Sequence, residues 1–448
     1  MSFGENILKY KQDILQDLEK VIAIESVSAE GSENPRKALE YVLSRGEELG
    51  LISKNINGVA GHLQYGNGKK LCGVLTHLDV VPAGQGWTVP PFSLTRKNGR
   101  LYGRGIADDK GSAIVAMYCL KALKDNNITA DSKIRLILGT NEETGMTDVE
   151  HYFSKEPIPD MSFTPDSDYG ICCCEKGILQ ISIQGINNSN IIKGAKGGNA
   201  VNAVPDSTEI ILNVLQNQIR DFVKENAENY TTAIVDDSLR LCCKGKAAHA
   251  MEPYKGENSI TNAIDLLSKQ YGAEELGSVP EFIQKYIGNT TDGSLLGIDN
   301  CDSQSGAVTV NVGVIAIEEE TACVKVDIRY PVTSNYEDIL SQLTEKAKEF
   351  NLSVAVDHHL PPLNVPKESE IITILQNSYK EITGELPNLY STGGGTYARS
   401  LGNKGVAFGP VFPDDYSNMH KPDESLDEEK FFIHAQICLE AMYKMFTD

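Results

Sequence analysis

Three consecutive stretches between residues 69 and 145 constrain the fold more than anything else in the chain. KKLCGVLTHLDVV is an apolar run of strand length that closes at His77. GSAIVAMYCLKALKDN repeats its apolar residues at spacings of three and four, the period of a helix. SKIRLILGTNEETG is again a buried strand, ending close to Glu142. Strand, helix and strand in that order predict an α/β sandwich around a mostly parallel sheet. Ligands of such sheets gather at the carboxyl ends of the strands, which is where His77 and Glu142 fall.

The texture changes near residue 181. ILQISIQGINNSN alternates apolar and polar residues, as a half-exposed strand does, and SLRLCCKGKAAHA, GAVTVNVGVIAIEEETACVKVDIRY and LSVAVDHH continue the pattern. Helical stretches such as SITNAIDLLSKQY and YEDILSQLTEKAKEF lie between them. This predicts an α+β domain with an antiparallel sheet over 181–363. After the proline-rich HHLPPLNVPKESE the helix–strand alternation returns, so residues 1–180 and 364–448 are expected to form one α/β domain interrupted by the insert.

At 448 residues the chain is long enough for two or three domains. Its net charge of −21 argues against nucleic acid, whose phosphates need clustered Lys and Arg. No apolar run reaches the roughly 20 residues that cross a bilayer. The N-terminus carries charges throughout and reads as an amphipathic first helix, not as an export signal. A cytoplasmic protein with no membrane partner is therefore expected. Among the ten cysteines Cys172, Cys173 and Cys174 are contiguous, Cys242 and Cys243 adjoin, and no CxxC pair exists. They read as small core residues in a reducing compartment.

Five segments each put a metal-ligand side chain at a strand end or in a loop. In Thr76-His77-Leu78-Asp79 the aspartate can accept the second N–H of the imidazole and fix its tautomer, although an HxD pair alone is weak. In GRGIADDKGS, Asp108 could bridge two ions with its two oxygens, or the aspartate pair could be a plain helix cap. In Asn141-Glu142-Glu143-Thr144-Gly145, Glu143 can bind a metal while Glu142 stays free as a general base, or the pair can be a surface loop. Thr164-Pro165-Asp166-Ser167-Asp168 offers Asp166, and the segment Asn418–Glu424 offers His420; each alone could be a turn. Together they supply two histidines and three carboxylates, the inventory two zinc-type ions need if one carboxylate is shared.

In this order the five segments resemble the co-catalytic di-zinc exopeptidases, the family of PepV-type dipeptidases, carnosine dipeptidases, glutamate carboxypeptidases, aminoacylases and succinyl-diaminopimelate desuccinylases. THLDVVPAGQGW, GRGIADDKGS, NEETG, TPDSD and MHKPDES carry the likeness, which covers nearly the whole chain. GGNAVNAVPD, GKAAHAMEP, DIRYP and GGGTYARSLG look most like the PepV-type branch. One departure is Thr76, where a glycine is common.

The resemblance implies that His77 and Asp166 hold one metal, Glu143 and His420 the other, and Asp108 both, with Asp108-Asp109 a cis peptide. Glu142 would be the base and Asp79 the orienter of His77. From the insert, a lid in this family, His249 would steady the oxyanion, while Asn202 and Arg329 grip the substrate carboxylate. Gly393, Gly394, Gly395 and Thr396 would line the pocket. Without the resemblance, Arg329 reads as a strand-end salt bridge and Asn202 as a turn residue. His358 and His359, before a proline turn, read as surface or hinge residues, and His62, His151 and His434 have no partnered motif. The implied function is a metallopeptidase cleaving dipeptides, with two zinc, manganese or cobalt ions and a short peptide as partner. The long insert, as in the PepV-type branch, implies a monomer. An N-acyl amino acid deacylase is the alternative on the same scaffold, with a non-catalytic metal-binding homologue as a third reading.

Overall fold

The computed structural model describes residues 2–28, 32–214, 223 and 228–448. The chain divides into two compact units. Met1–Cys174, Leu363–Ser391 and Gly395–Asp448 make the first; Glu175–Pro362 and Thr392–Gly394 make the second.

The sheet of the first unit runs in the order Ile52–Ile56, Ala60–Gly66, Ser132–Gly139, Lys70–His77, Met161–Thr164, Gly405–Ala407, Ile171–Glu175, Leu363–Asn364. Its central pairings, from Ser132–Gly139 through Lys70–His77 and Met161–Thr164 to Gly405–Ala407, are parallel. Both faces of such strands are covered, so polar alternation is lost: in Lys70–His77 every residue after Lys70 is buried. The helix Lys110–Asp125 is buried without a break from Lys110 to Leu120. It packs on Lys70–His77 and Ser132–Gly139 on one side, and against the helices Lys11–Ile22 and Glu428–Thr447 on others. A helix enclosed on all sides has no need of an amphipathic stripe.

This arrangement brings three strand ends to one edge. His77 closes its strand directly opposite Gly139, and Met161–Thr164 runs beside it in the same direction. Past that edge the chain enters a short 3₁₀ turn, Glu142–Thr144, and Asp166 follows Thr164 by two residues. The N-terminal segment is a 3₁₀ stretch, Phe3–Tyr10, leading into the α-helix Lys11–Ile22, not one continuous helix.

The second unit is built on an eight-stranded sheet in the order Tyr230–Val235, Ser238–Lys244, Ser207–Leu212, Ile192–Gly197, Thr309–Ile317, Thr321–Tyr330, Gly177–Ile186, Ser353–Leu360. Every neighbour is antiparallel. Leu179, Ile181 and Ile183 point into one core with Ile260, Phe282 and Leu343 from the covering helices. That one-sided burial is what the alternating sequence predicts.

None of the ten cysteines is in a disulfide, and seven of them are buried, which agrees with the core reading; Cys301 is exposed. His62 and His434 are core residues, each joined through Nδ1 to a tyrosine hydroxyl, Tyr152 at 2.8 Å and Tyr169 at 2.9 Å. His358 and His359 lie within the strand Ser353–Leu360 and are partly exposed, which fits the surface reading and not a hinge. His359 stacks on Tyr336 and meets the Tyr330 hydroxyl at 2.7 Å. Aromatic packing on a sheet surface holds it there, which a proline two residues on could not reveal. No helix of the described residues is long and apolar enough to cross a membrane.

Candidate metal centre

At the edge of the parallel sheet His77 is fully buried. Its Nδ1 lies 2.9 Å from the backbone oxygen of Asp79 and 3.4 Å from that residue's carboxylate. The Nδ1–H is thus taken by the main chain, which leaves the lone pair of Nε2 free to bind a cation. The carboxylate expected to accept this N–H stands beside the nearer main-chain oxygen, so both face the same ring nitrogen. It also accepts the Ser28 hydroxyl at 2.5 Å and the backbone N–H groups of Glu142 and Glu143 at 3.2 Å each.

Asp108 sits in the turn before the helix Lys110–Asp125. A Cβ at Gly111 would lie 2.1 Å from the Ile106 oxygen, so only glycine allows this close return of the chain. The Asp108-Asp109 peptide is cis. Asp109 occupies the cap position but makes no side-chain cap; its carboxylate accepts the backbone N–H of His77 at 3.3 Å. The plain-cap reading of the aspartate pair does not describe this turn.

The oxygens of Asp108 face two different histidines. Oδ1 is 2.8 Å from Nε2 of His77, and Oδ2 is 2.8 Å from Nε2 of His420. Asp166 lies 3.8 Å from the same His77 nitrogen, and Glu143 3.3 Å from the His420 nitrogen. Ligand atoms of His77, Asp108 and Glu143 fall within 4.8 Å of one another, as do those of His77, Glu142 and Asp166. The five residues singled out as ligands converge from five separate segments.

Their electrostatics are those of a site that wants cations. Burial opposes protonation of His77, yet Asp108 and Asp79 outweigh it and push the imidazole well above its ordinary value. Asp108 and Glu143 push His420 up to about 11. Burial and Asp108 raise Asp166 to about 7; burial and Asp166 drive Glu142 well above the usual carboxylate range. Crowded carboxylates take up positive charge from protons when nothing else supplies it. Two buried atoms, Nε2 of His77 and Oε1 of Glu143, have no hydrogen-bond partner. The close approach of His77 Nε2 to Asp108 thus lacks hydrogen-bond geometry, the arrangement expected of groups aimed at a common centre. Two imidazoles and three carboxylates with one shared form a donor set that fits two divalent ions.

A model of peptidase family M20/M25/M40 matches residues 73–444. The chain belongs to this family. Membership in the M20 group makes it a peptidase, a hydrolase acting on peptides. It is 34% identical to the Bacillus subtilis (strain 168) protein named "Putative dipeptidase YtjP", over 99% of this chain and all of that one. Among solved structures, human carnosine dipeptidase 1 matches with a TM-score of 0.62 at 13% identity, covering 99% of this chain and 98% of the other. The dipeptidase Dug1p of Saccharomyces cerevisiae matches with the same score at 14% identity, covering 99% and 98%. These two likenesses show that the M20 architecture is shared.

The remaining candidates divide between the units. In the second, Asn202 is exposed on a turn whose backbone oxygen accepts the N–H of Ala250. His249 accepts the Met251 N–H on Nδ1 at 3.1 Å. Arg329 is buried and forks onto Asp327, with contacts of 2.6 and 2.9 Å, while its other arm donates to the Gly393 carbonyl at 3.0 Å. The salt bridge is therefore present. Gly394 donates to the Thr392 hydroxyl. In the first unit Thr396 caps the turn Tyr397–Leu401 through its side chain, and Gly395 packs beside Arg399.

One pair escaped sequence reasoning. Asp148, fully buried, accepts the N–H groups of Thr140 and Asn141 at 2.6 and 2.9 Å, and Tyr397 donates its hydroxyl to the same oxygen. The Tyr397 ring stands edge-on to His77. An acidic residue shortly after the NEETG segment was the available signal.

Proposed function

We propose that the protein is a two-metal dipeptidase whose general base is Glu142. The observation that carries this reading is the placement of Asp108, whose oxygens each lie 2.8 Å from a different histidine nitrogen. His77 and Asp166 would hold one cation, His420 and Glu143 the second, and Asp108 both. Bound there, such ions supply positive charge that acidifies a water, from a pKa of about 15.7 towards about 7, and polarises a carbonyl.

Glu142 takes the proton from the attacking water and returns it to the leaving amine nitrogen. Its carboxyl lies within ligand-atom distance of His77 and Asp166, close enough to the proposed centre to exchange a proton with a water held there. Asp79 holds the backbone of Glu142 and Glu143 while its own main chain orients His77. His249 is assigned the hydrogen bond to the developing oxyanion, a role that rests on the family resemblance. Asn202, Arg329, Gly394, Gly395 and Thr396 are assigned to substrate on the same ground. Zinc is the proposed ion, and a cytoplasmic monomer the proposed form; sedimentation as an obligate dimer would remove the latter.

The test is Glu142→Ala assayed on free dipeptides, N-acetyl amino acids and N-succinyl amino acids. The expected result is cleavage of dipeptides by the parent chain and a loss of at least 10²-fold in the variant, with metal content unchanged. Turnover of N-acyl substrates in place of dipeptides would overturn the substrate assignment, and an active variant the role of Glu142.

A further inference from the structure

His420 reaches the centre from an awkward turn. Asn418, His420 and Asp423 all have positive φ, at 51°, 61° and 58°, a conformation that persists in non-glycine residues only where the surroundings fix it. The side chain of His420 is itself half exposed, so packing alone does not hold it. The fixing group lies four residues on. Glu424 is completely buried, and its carboxylate looks back at the Asp108 loop. It accepts the backbone N–H groups of Gly105 at 3.1 Å, Ala107 at 2.9 Å and Asp108 at 3.3 Å. Arg104 closes the shell from the other side, with Nη1 2.7 Å from Glu424.

Arg104 is buried as well, and its second arm donates to three backbone oxygens at 3.3 Å: Pro82, Ala83 and Lys421. The Gly103 N–H adds a main-chain bond to the Glu424 carbonyl at 3.1 Å. One ion pair therefore ties together the segment that follows Asp79, the loop that carries Asp108 and the turn that carries His420. A planar fork with several donors suits this task where an ammonium does not.

We propose that Glu424 and Arg104 are positioning residues for the two-cation centre, locking the Asp108 loop to the His420 turn so that Asp108 faces both histidines. The proposal rests on the two-cation reading of that centre. Neither residue has an atom placed to touch an ion; they act through the backbone of the residues that do. Four donors are aimed at the two oxygens of Glu424, the Arg104 guanidinium and the N–H groups of Gly105, Ala107 and Asp108.

The test compares Glu424→Gln and Arg104→Lys with the parent chain, and with Glu156→Gln as a control. Glu156 is also an ion-pair member of the buried class, 8% exposed where Glu424 is 0%, and lies 2.7 Å from Arg135, in the same unit but with no bond to a ligand loop. Zn²⁺ stoichiometry and affinity are read by competition with a chromophoric chelator, and the fold by circular dichroism and melting of the metal-free proteins. The parent is expected to bind two Zn²⁺. Both clamp variants should stay folded and bind the weaker Zn²⁺ at least tenfold less tightly, with kcat falling more than KM rises. The control should lose melting temperature but keep both Zn²⁺. Clamp variants that bind Zn²⁺ like the parent overturn the proposal, as does an equal Zn²⁺ loss in the control. A parent chain that binds fewer than two Zn²⁺ overturns the two-cation reading, and the clamp with it. If Glu424→Gln does not fold, Arg104→Lys decides between these outcomes alone.

Discussion

Asp79 holds Glu142 by the main chain: its carboxylate accepts the Glu142 N–H at 3.2 Å, and the next N–H, that of Glu143, at the same distance. One residue thus serves both a proposed ligand, His77 through its backbone oxygen, and the loop bearing the proposed base. In Asp79→Asn the side chain keeps its shape but has one accepting oxygen in place of two. An N–H that the carboxylate had satisfied then faces an amide donor in a dry site. The expected outcome is a 10- to 100-fold loss in kcat or metal affinity, with a stability loss of about 1–3 kcal/mol. Wild-type kinetics together with unchanged metal affinity would remove Asp79 from the site.

Metal binding should release protons. Asp108 and its neighbours hold both His77 and His420 above their ordinary values in the metal-free protein, so at pH 7 each imidazole carries a proton that a cation must displace. At least two protons per chain are expected to leave on loading, those of the imidazoles together with the share that Asp166 and Glu142 hold, and affinity should fall as pH is lowered. Titration calorimetry in buffers of different ionisation enthalpy measures this number directly. A release of zero at pH 7 would show that the histidines are not ligands.

The parallel core was legible because it is local, and so were several of the residues that gather at the candidate centre. A strand buried on two faces is an unbroken apolar run, and the residue that ends it, His77, is fixed by the same run. Glu142, Glu143 and Asp166 follow strand ends in the same way. What could not be read was the wiring between segments. The bond from Asp79 to the glutamate loop, the Asp148–Tyr397 pair and the Arg104–Glu424 clamp each join residues that are 63 to 320 positions apart. Their sequence signal is only a charged or polar residue close to a ligand. His359 was legible only in part: the proline turn after it suggested surface or hinge, and its partners in space, two tyrosines, left no signal beside it.

The tautomer of His249 is set by its own loop. The Met251 N–H donates to Nδ1, so the neutral ring carries its proton on Nε2 and is a donor there. If that donor meets the oxyanion, His249→Ala should lower kcat by about 10²–10³. The metal content should not change, because His249 belongs to the unit that contains none of the proposed ligands. Steady-state kinetics with metal analysis on the same sample checks both halves. A loss of metal, or of fold, in place of kcat would assign the residue a structural role.

Acid stability should depend on a histidine far from the chemistry. His62 is 2% exposed, and burial, helped by Arg135, lowers its pKa from 6.5 to about 4. The unfolded chain takes up a proton near pH 6.5, which the folded chain refuses until about pH 4. The stabilisation is therefore complete above pH 6.5 and is lost as the pH falls towards 4. At about 1.4 kcal/mol per pKa unit, the loss across that window is about 3 kcal/mol. His62→Gln keeps a hydrogen-bonding group beside the Tyr152 hydroxyl and cannot titrate. Urea unfolding of both proteins in excess chelator at pH 7 and pH 4 separates this effect from the metal centre, whose carboxylates are common to the two. The stability difference between variant and parent should move by about 3 kcal/mol in favour of the variant at the lower pH. A difference that stays constant with pH would mean that His62 keeps its ordinary proton affinity inside the fold.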